Sequence, residues 1–163
     1  MAESLVSPLV TLSSRIISRK ASLSLDCFVN DAFSLFTPLS EKKWVRGWDP
    51  TFIFPINGEI CENMVFLTPP RFAEEAPYQW IVMRFDPLRH RAAYSVSTQE
   101  RIWFVEIHCA QHGEKSEVTV QYTYVGLTVA GAEKNKTALD QMFAHDLTDW
   151  QEAIEQYLGK TIN

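Results

Sequence analysis

The sequence has no excess of basic residues and no paired cysteines, and each absence excludes a class of protein. It contains 15 Lys and Arg against 20 Asp and Glu, a net charge of −5. Nucleic acids and anionic membranes are bound through Lys and Arg, so we expect neither as a partner. Cys27, Cys61 and Cys109 form no C-x-x-C pair, so neither a zinc site nor a disulfide framework is predicted. Three free thiols are typical of a reducing cytoplasm.

Long apolar runs, Gly/Ser linkers and internal repeats are also lacking. No stretch is long enough to span a bilayer. The apolar segment 5–12 follows Glu3 and is interrupted by Pro8, which does not fit a secretory signal. A chain of 163 residues has the size of one domain. We therefore predict a leader or an extra edge strand at 1–20 and a single domain at 21–163.

Aromatic residues are what the sequence has in unusual number. It contains 5 Trp, 10 Phe and 5 Tyr, together 12% of the chain. Large rings line many ligand cavities, but they fill ordinary cores as readily. Composition alone leaves both alternatives open.

Alternation of polar and apolar residues predicts an antiparallel sheet. A first strand is predicted at 21–26, followed by two short helical segments on either side of Pro38. Six further strands are predicted at 51–55, 64–68, 78–85, 92–98, 102–110 and 117–127. The last two form a hairpin around Gly113. Successive strands with short connections must be antiparallel neighbours.

One long amphipathic helix is predicted at 132–158. The segment has no proline, and Gly131 and Gly159 are predicted to bracket it. Apolar residues recur every three or four positions, from Leu139 to Leu158. Such a helix can cover the apolar face of a twisted sheet, which predicts an α+β fold with a cavity wherever side chains do not fill the space.

The segment 33–50 carries a family likeness. It reads Phe33-Ser-Leu-Phe-Thr-Pro, then Glu41-x-x-Trp44, then Gly47-Trp48-x-Pro50. This pattern resembles a signature of bacterial members of the START-like (SRPBCC) superfamily, and the likeness continues over roughly 23–158. The resemblance implies a helix-grip fold, in which a curved antiparallel sheet of six to seven strands surrounds a long C-terminal helix. It also implies two short helices after the first strand and a deep hydrophobic cavity.

Strand alternation indicates which side chains face that cavity. Trp103 and its alternate neighbours form the more apolar face of one strand, and Tyr122 and Tyr124 share a face of the next. Trp80 is predicted to point inward, with Arg84 on the same face near the rim. There Arg84 could meet a carboxylate head group or remain a solvated arginine. The predicted ligand-binding residues are Phe33, Trp48, Phe66, Trp80, Arg84, Trp103, Val105, Ile107, Val120, Tyr122, Tyr124, Met142, Phe143 and Trp150.

Trp44 and Trp48 admit two interpretations. Their amphipathic indoles could gate the mouth of the cavity, or they could pin the short helices to the edge of the sheet. No metal or cofactor site is predicted, because His108 and His112 lie on a strand and lack the H-E-x-x-H pattern. Cys109 and His108 are strand neighbours that face opposite sides, so no catalytic dyad is predicted either.

Three functions remain compatible with the sequence. The first is binding of a small hydrophobic molecule, such as a lipid, a polyketide or an aromatic compound. The second is a cyclase, dehydratase or hydrolase acting on such a molecule, with candidate titratable groups Tyr122, Tyr124, Arg84 and Glu62. The third is a protein-interaction module whose core is filled.

Overall fold

The computed structural model describes residues 15–162, and predictions about residues 1–14 lie outside this part of the chain. This part of the chain contains seven strands: β1 (Ile16–Leu25), β2 (Thr51–Phe54), β3 (Val65–Thr68), β4 (Tyr78–Asp86), β5 (Arg91–Ser97), β6 (Arg101–His112) and β7 (Lys115–Gly126). The helices are α1 (Val29–Ser34), a 3₁₀-helix (Ser40–Lys43), α2 (Val129–Met142) and α3 (Thr148–Ile162). No helix in the described part of the chain has the length and apolarity that a membrane span requires.

All seven strands belong to one antiparallel sheet in the order β1-β7-β6-β5-β4-β3-β2. The predicted α+β fold class is confirmed. The first strand begins at Ile16 rather than at residue 21 and lies at the sheet edge beside β7. Residues 16–20, assigned at sequence level to a leader or an edge strand, therefore pair within the sheet. The proposed domain division itself stays a prediction.

Alternation along β6 and β7 produces the apolar inner face of the sheet. Trp103 pairs with Tyr124 and Val105 pairs with Tyr122, and all four side chains are buried. The intervening positions on both strands face the other side of the sheet. The helices cover the inner face, so one continuous core lies between sheet and helices.

The prediction of one continuous helix at 132–158 is wrong, because this segment forms two helices, α2 and α3. Asp146 and Leu147 between them have φ of +46° and +66°, the left-handed region that an α-helix of L-residues cannot continue through. Phe143 and Leu147 are both fully buried. The break thus allows two large side chains at the junction to enter the core. The apolar residues keep their spacing of three and four positions across this junction, so the sequence pattern does not indicate the break.

Gly131 was predicted to precede the C-terminal helix, but it is the third residue of α2. The helix begins after Thr128, whose hydroxyl accepts a hydrogen bond from the Gly131 N–H at 3.0 Å. A Cβ at Gly131 would overlap the carbonyl oxygen of Glu100. That oxygen is held in place, because it accepts hydrogen bonds from the N–H groups of Leu127 and Thr128. Glycine is therefore required here by close approach of two backbones.

Gly131→Ala is expected to lower the free energy of unfolding by about 1–3 kcal/mol, because an added methyl group must displace backbone. Gly159→Ala is a matched control inside α3, where an added Cβ meets nothing within 4 Å. This control should be neutral or stabilising by up to about 1 kcal/mol, since alanine is the better helix former. Urea denaturation measures both, and equal effects would contradict the close approach.

Candidate functional site

A cavity with a volume of about 300 Å³ lies between the inner face of the sheet and the helices. The segment after Pro38 forms one wall, and strands β3 to β7 form the opposite wall. Exposed residues at its mouth include Arg46, Asp49 and Arg71. Ten of the residues that line it carry aromatic rings: Trp44, Trp48, Phe66, Tyr78, Trp80, Tyr94, Trp103, Tyr122, Tyr124 and Trp150.

Most of the ligand-binding residues predicted from the sequence meet at this cavity. Ten of the fourteen line it: Trp48, Phe66, Trp80, Trp103, Val105, Ile107, Tyr122, Tyr124, Met142 and Trp150. Phe33, Val120 and Phe143 do not line the cavity but pack in the core behind it. Phe33 stacks on Phe85 with 5.8 Å between ring centroids, and Phe143 packs edge-on against Tyr122 at 5.7 Å.

Arg84 lies on the outer face of the sheet, so the prediction that it points inward is wrong. Pairing between β4 and β5 shifts register between Val82 and Arg84. A bulge adds one residue to one strand and reverses which later side chains face inward. As a result Val82 is fully buried, Arg84 is exposed, and Phe85 faces the core in its place.

The two tryptophans of the segment 33–50 hold this segment in place. The Nε1 of Trp44 donates to the carbonyl of Leu35, and that of Trp48 donates to the carbonyl of Pro38, both at 2.8 Å. The rings also face the cavity, where Trp48 lies edge-on to Trp80 at 5.5 Å. The hydrogen bonds lie within the segment, and the contacts that pin it to the sheet are those of the Trp48 ring with Phe66 and Trp80. The rings of Trp44 and Trp48 also form part of the cavity wall.

Glu41 is the carboxyl group inside the cavity. Within residues 15–162 its side chain makes no hydrogen bond and no ion pair. Burial raises the pKa of Glu41 to about 8, because the charged form loses its water without gaining a partner. At neutral pH the group is mostly a neutral acid that can donate a hydrogen bond into the cavity.

Tyr122 and Tyr124 place two hydroxyl groups at the cavity. In the described part of the chain neither hydroxyl has a protein partner, whereas the hydroxyl of Tyr94 donates to the Phe36 carbonyl at 3.0 Å. Among the described residues, the one buried side-chain nitrogen or oxygen atom that has no hydrogen-bond partner and no exposed surface is Nδ2 of Asn135. The two hydroxyls are consequently open to the cavity. Burial raises the pKa of Tyr124 to about 12 and raises that of Tyr122 further, so both remain protonated.

A buried ion pair is attached to the cavity wall through Arg101, which lines the cavity. Arg101 binds Glu75 through two hydrogen bonds of 2.9 and 2.8 Å, and both side chains are at most 3% exposed. Arg101 also donates to the hydroxyl of Tyr78 at 2.9 Å and lies 4.4 Å from the ring centroid of Trp103. Burial raises the pKa of Glu75, but hydrogen bonds from Arg101 and Tyr78 outweigh it and leave the pKa below its usual range.

Glu41, Arg101 and Arg71 line the cavity but were not predicted from the sequence, although the sequence contains a signal for two of them. Glu41 is three residues before Trp44, and positions three apart share a face in a 3₁₀-helix. Arg101 has the same parity as Trp103 and Val105, so extending the strand by one residue would have placed it inward. Arg71 follows a Pro-Pro pair in a loop and has no comparable signal. Glu62, which was a candidate, is exposed and lies outside the cavity.

Thiols and histidines contribute no reactive group to the cavity. Burial raises the pKa of Cys109 to about 12, so this thiol stays protonated. His90 bonds Asn30 at 2.6 Å, and His108 lies on the outer-facing side of β6. Among residues 15–162 no group of three or more His, Cys, Asp or Glu side chains is arranged to hold a metal ion.

The curved seven-stranded antiparallel sheet with its covering C-terminal helices is the predicted helix-grip fold. Norcoclaurine synthase from Thalictrum flavum superposes with a TM-score of 0.62 at 11% identity, covering 88% of this chain and 86% of the other. The protein Ara h 8.0201 superposes with a TM-score of 0.62 at 9% identity, covering 89% and 99%. DynU16, from the dynemicin biosynthetic locus, gives 0.59 at 13% identity, covering 85% and 47%.

At such identities the likeness establishes the fold alone. No protein-family model matches the sequence, and no curated protein matches it either.

Proposed function

We propose that this protein binds a small hydrophobic molecule, namely a lipid, a polyketide or an aromatic compound, in the cavity between the sheet and the C-terminal helices. The supporting observation is the cavity itself, about 300 Å³ in volume, with ten aromatic rings in its lining. Ligand sites are typically concave, mostly apolar and equipped with a few polar groups that orient the ligand. Glu41, Tyr122 and Tyr124 are such groups here.

The volume favours a compact ligand. Small-molecule sites occupy about 300–1,000 Å³, so this cavity is at the lower end of the range. A long acyl chain would extend beyond the walls, whereas one or two fused rings would be enclosed. Norcoclaurine synthase, which shares the fold at a TM-score of 0.61, was solved in complex with dopamine and hydroxybenzaldehyde. Those small aromatic molecules support the same size class by analogy.

An enzyme acting on such a molecule is the second candidate. The observation that favours it is Glu41, whose pKa of about 8 suits a general acid at neutral pH. The hydroxyls of Tyr122 and Tyr124 could donate to a substrate carbonyl at the same time. The alternative of an interaction module with a filled core is disfavoured, because a filled core leaves no cavity.

A reducing cytoplasmic location in a bacterium is part of the proposal. Cys27, Cys61 and Cys109 are all free thiols in the structure, as such a compartment requires. The bacterial origin is supported by the resemblance of residues 33–50 to bacterial START-like proteins.

Filling the cavity is expected to weaken binding strongly without unfolding the protein. Val105 is buried and lines the cavity, so Val105→Trp should occupy the space of a ligand. We expect the affinity for the uncharged fluorescent probe N-phenyl-naphthylamine to fall at least about tenfold, because the probe must compete with the indole. Fluorescence titration measures the affinity, and urea denaturation checks that the variant is folded.

Phe104→Trp is the matched control, because Phe104 is adjacent on β6 and faces the other side of the sheet. Its probe affinity should equal that of the wild type. Equal affinity of a folded Val105→Trp variant would place binding elsewhere and refute the proposal. Native mass spectrometry of gently purified protein is the complementary test, with a co-purifying apolar molecule as the expected result.

A further inference from the structure

Arg71 is an uncompensated cation at the mouth of the cavity. It is exposed, lines the cavity, and within the described residues its guanidinium forms no ion pair or hydrogen bond. Its backbone is fixed, because the Arg71 N–H donates to the hydroxyl of Tyr78 at 3.0 Å. The preceding residues Pro69 and Pro70 further restrict the loop. A free guanidinium thus extends from an anchored backbone beside an apolar interior.

The phenol hydroxyls of Tyr122 and Tyr124 line the same cavity as Arg71. Tyr122 and Tyr124 occupy consecutive inward positions of β7, and their rings stack with 6.0 Å between centroids. Burial raises the pKa of both phenols; the charge of Arg71 opposes this at Tyr122, and at Tyr124 the charges of Arg101 and Arg71 both oppose it, that of Arg101 more strongly. Neither hydroxyl has a partner in the described part of the chain, so both are available to a ligand.

The cavity is positive although the chain as a whole is negative. Among the described residues, the exposed charged groups that line the mouth are the cations Arg46 and Arg71 and the carboxylate of Asp49. In the interior Arg101 is neutralised by Glu75, and Glu41 is mostly uncharged below pH 8. The overall charge of −5 is therefore carried elsewhere on the surface. A local positive field beside an apolar pocket favours an amphipathic anion.

We propose that the ligand carries a carboxylate on a compact aromatic body, with the carboxylate bound by Arg71, Tyr122 and Tyr124 and the ring enclosed by the tryptophans. This inference rests on the proposed ligand-binding function and specifies its chemical class. Guanidinium and carboxylate form paired, charge-assisted hydrogen bonds, and phenol hydroxyls supply further donors. The role that sequence analysis gave to Arg84 thus belongs to Arg71, on the other side of the sheet.

An amine on the same aromatic body fits less well. The cavity's interior carboxyl without an ion-pair partner is Glu41, and an ammonium group would need it to ionise in a site where burial opposes ionisation. The ammonium would also have to pass Arg46 and Arg71, which repel it. A carboxylate meets neither obstacle.

Calorimetric titration with three matched probes tests the proposal: naphthylacetate, its primary amide and naphthylethylamine, which differ only in the polar group. We expect naphthylacetate to bind at least about tenfold more tightly than the amide, since charge-assisted hydrogen bonds are roughly twice as strong as neutral ones. The amine should bind most weakly. Arg71→Gln should remove the preference for the acid and leave the affinity for the amide unchanged.

Arg84→Gln is the control, because Arg84 is an exposed arginine on the outer face and its loss should change no affinity. Tightest binding of the amide or the amine would overturn the carboxylate proposal while leaving the binding function intact. An equal loss for acid and amide in Arg71→Gln would overturn it as well. Failure of all three probes to bind would overturn the carboxylate proposal, and the titration with N-phenyl-naphthylamine decides separately whether the binding function fails with it.

Discussion

Arg101→Gln is expected to lower the free energy of unfolding by about 3–5 kcal/mol, because it leaves the buried carboxylate of Glu75 without its counterion. The substitution also removes the hydrogen bonds to Tyr78 and Asn135 and the cation above Trp103. Urea denaturation at neutral pH measures the effect. The loss would be a large part of the stability of a domain of this size.

Arg89→Gln is the matched control for this substitution. Arg89 pairs with Asp86 at 3.1 Å, but its side chain is 79% exposed. An exposed ion pair contributes at most about 1 kcal/mol, so the same chemical change should have little effect. Similar losses in the two variants would show that the buried pair has no special role.

The double variant Arg101→Gln/Glu75→Gln separates the ion pair from its surroundings. It leaves no unpaired charge in the core, so it should be less destabilised than the sum of the two single variants. Strict additivity would mean that the two side chains do not interact energetically, in conflict with their two short hydrogen bonds.

Glu41→Gln is expected to stabilise the protein increasingly as the pH rises from about 4.5 to about 8. In this range folded wild type keeps the Glu41 proton, since its pKa is about 8, whereas the unfolded chain releases it above about 4.5. The unfolded state then binds fewer protons, so wild-type stability falls by about 1.4 kcal/mol per pH unit relative to the variant. Urea denaturation of both proteins across this pH range measures the difference.

Glu41→Met supplies the control for that experiment. It also removes the titrating carboxyl but cannot donate a hydrogen bond, so its pH trend relative to wild type should match that of Glu41→Gln. A difference between wild type and Glu41→Gln that does not change with pH would mean that Glu41 ionises normally and that the cavity is open to water around it.

The protonated state of Glu41 also separates the two candidate functions. If the protein only binds its ligand, Glu41→Gln retains affinity, because an amide still donates a hydrogen bond. An enzyme that uses Glu41 as a general acid would instead lose turnover while keeping affinity, since an amide cannot release a proton.

The strands and the face to which most side chains point were determined by the sequence alone. Alternation is a property of the extended backbone, so the inward direction of Trp103, Val105, Tyr122 and Tyr124 follows from their positions along the chain. The motif at 33–50 also pointed to the helix-grip fold from the sequence alone, because the hydrogen bonds that its tryptophans make lie within one short segment. Its tryptophans pin one short segment through bonds to carbonyls nine and ten residues earlier.

Only the tertiary structure decided where alternation fails. Arg84 faces outward because β4 bulges against β5, and α2 ends before α3 because Phe143 and Leu147 enter the core. Neither the bulge nor the helix break is visible in the spacing of apolar residues, since each depends on residues that are distant in sequence and adjacent in space. The same is true of the chemistry at the site. A carboxyl is kept neutral, and a guanidinium is left free beside two tyrosines, by neighbours distant in sequence whose burial and charge only folding brings together.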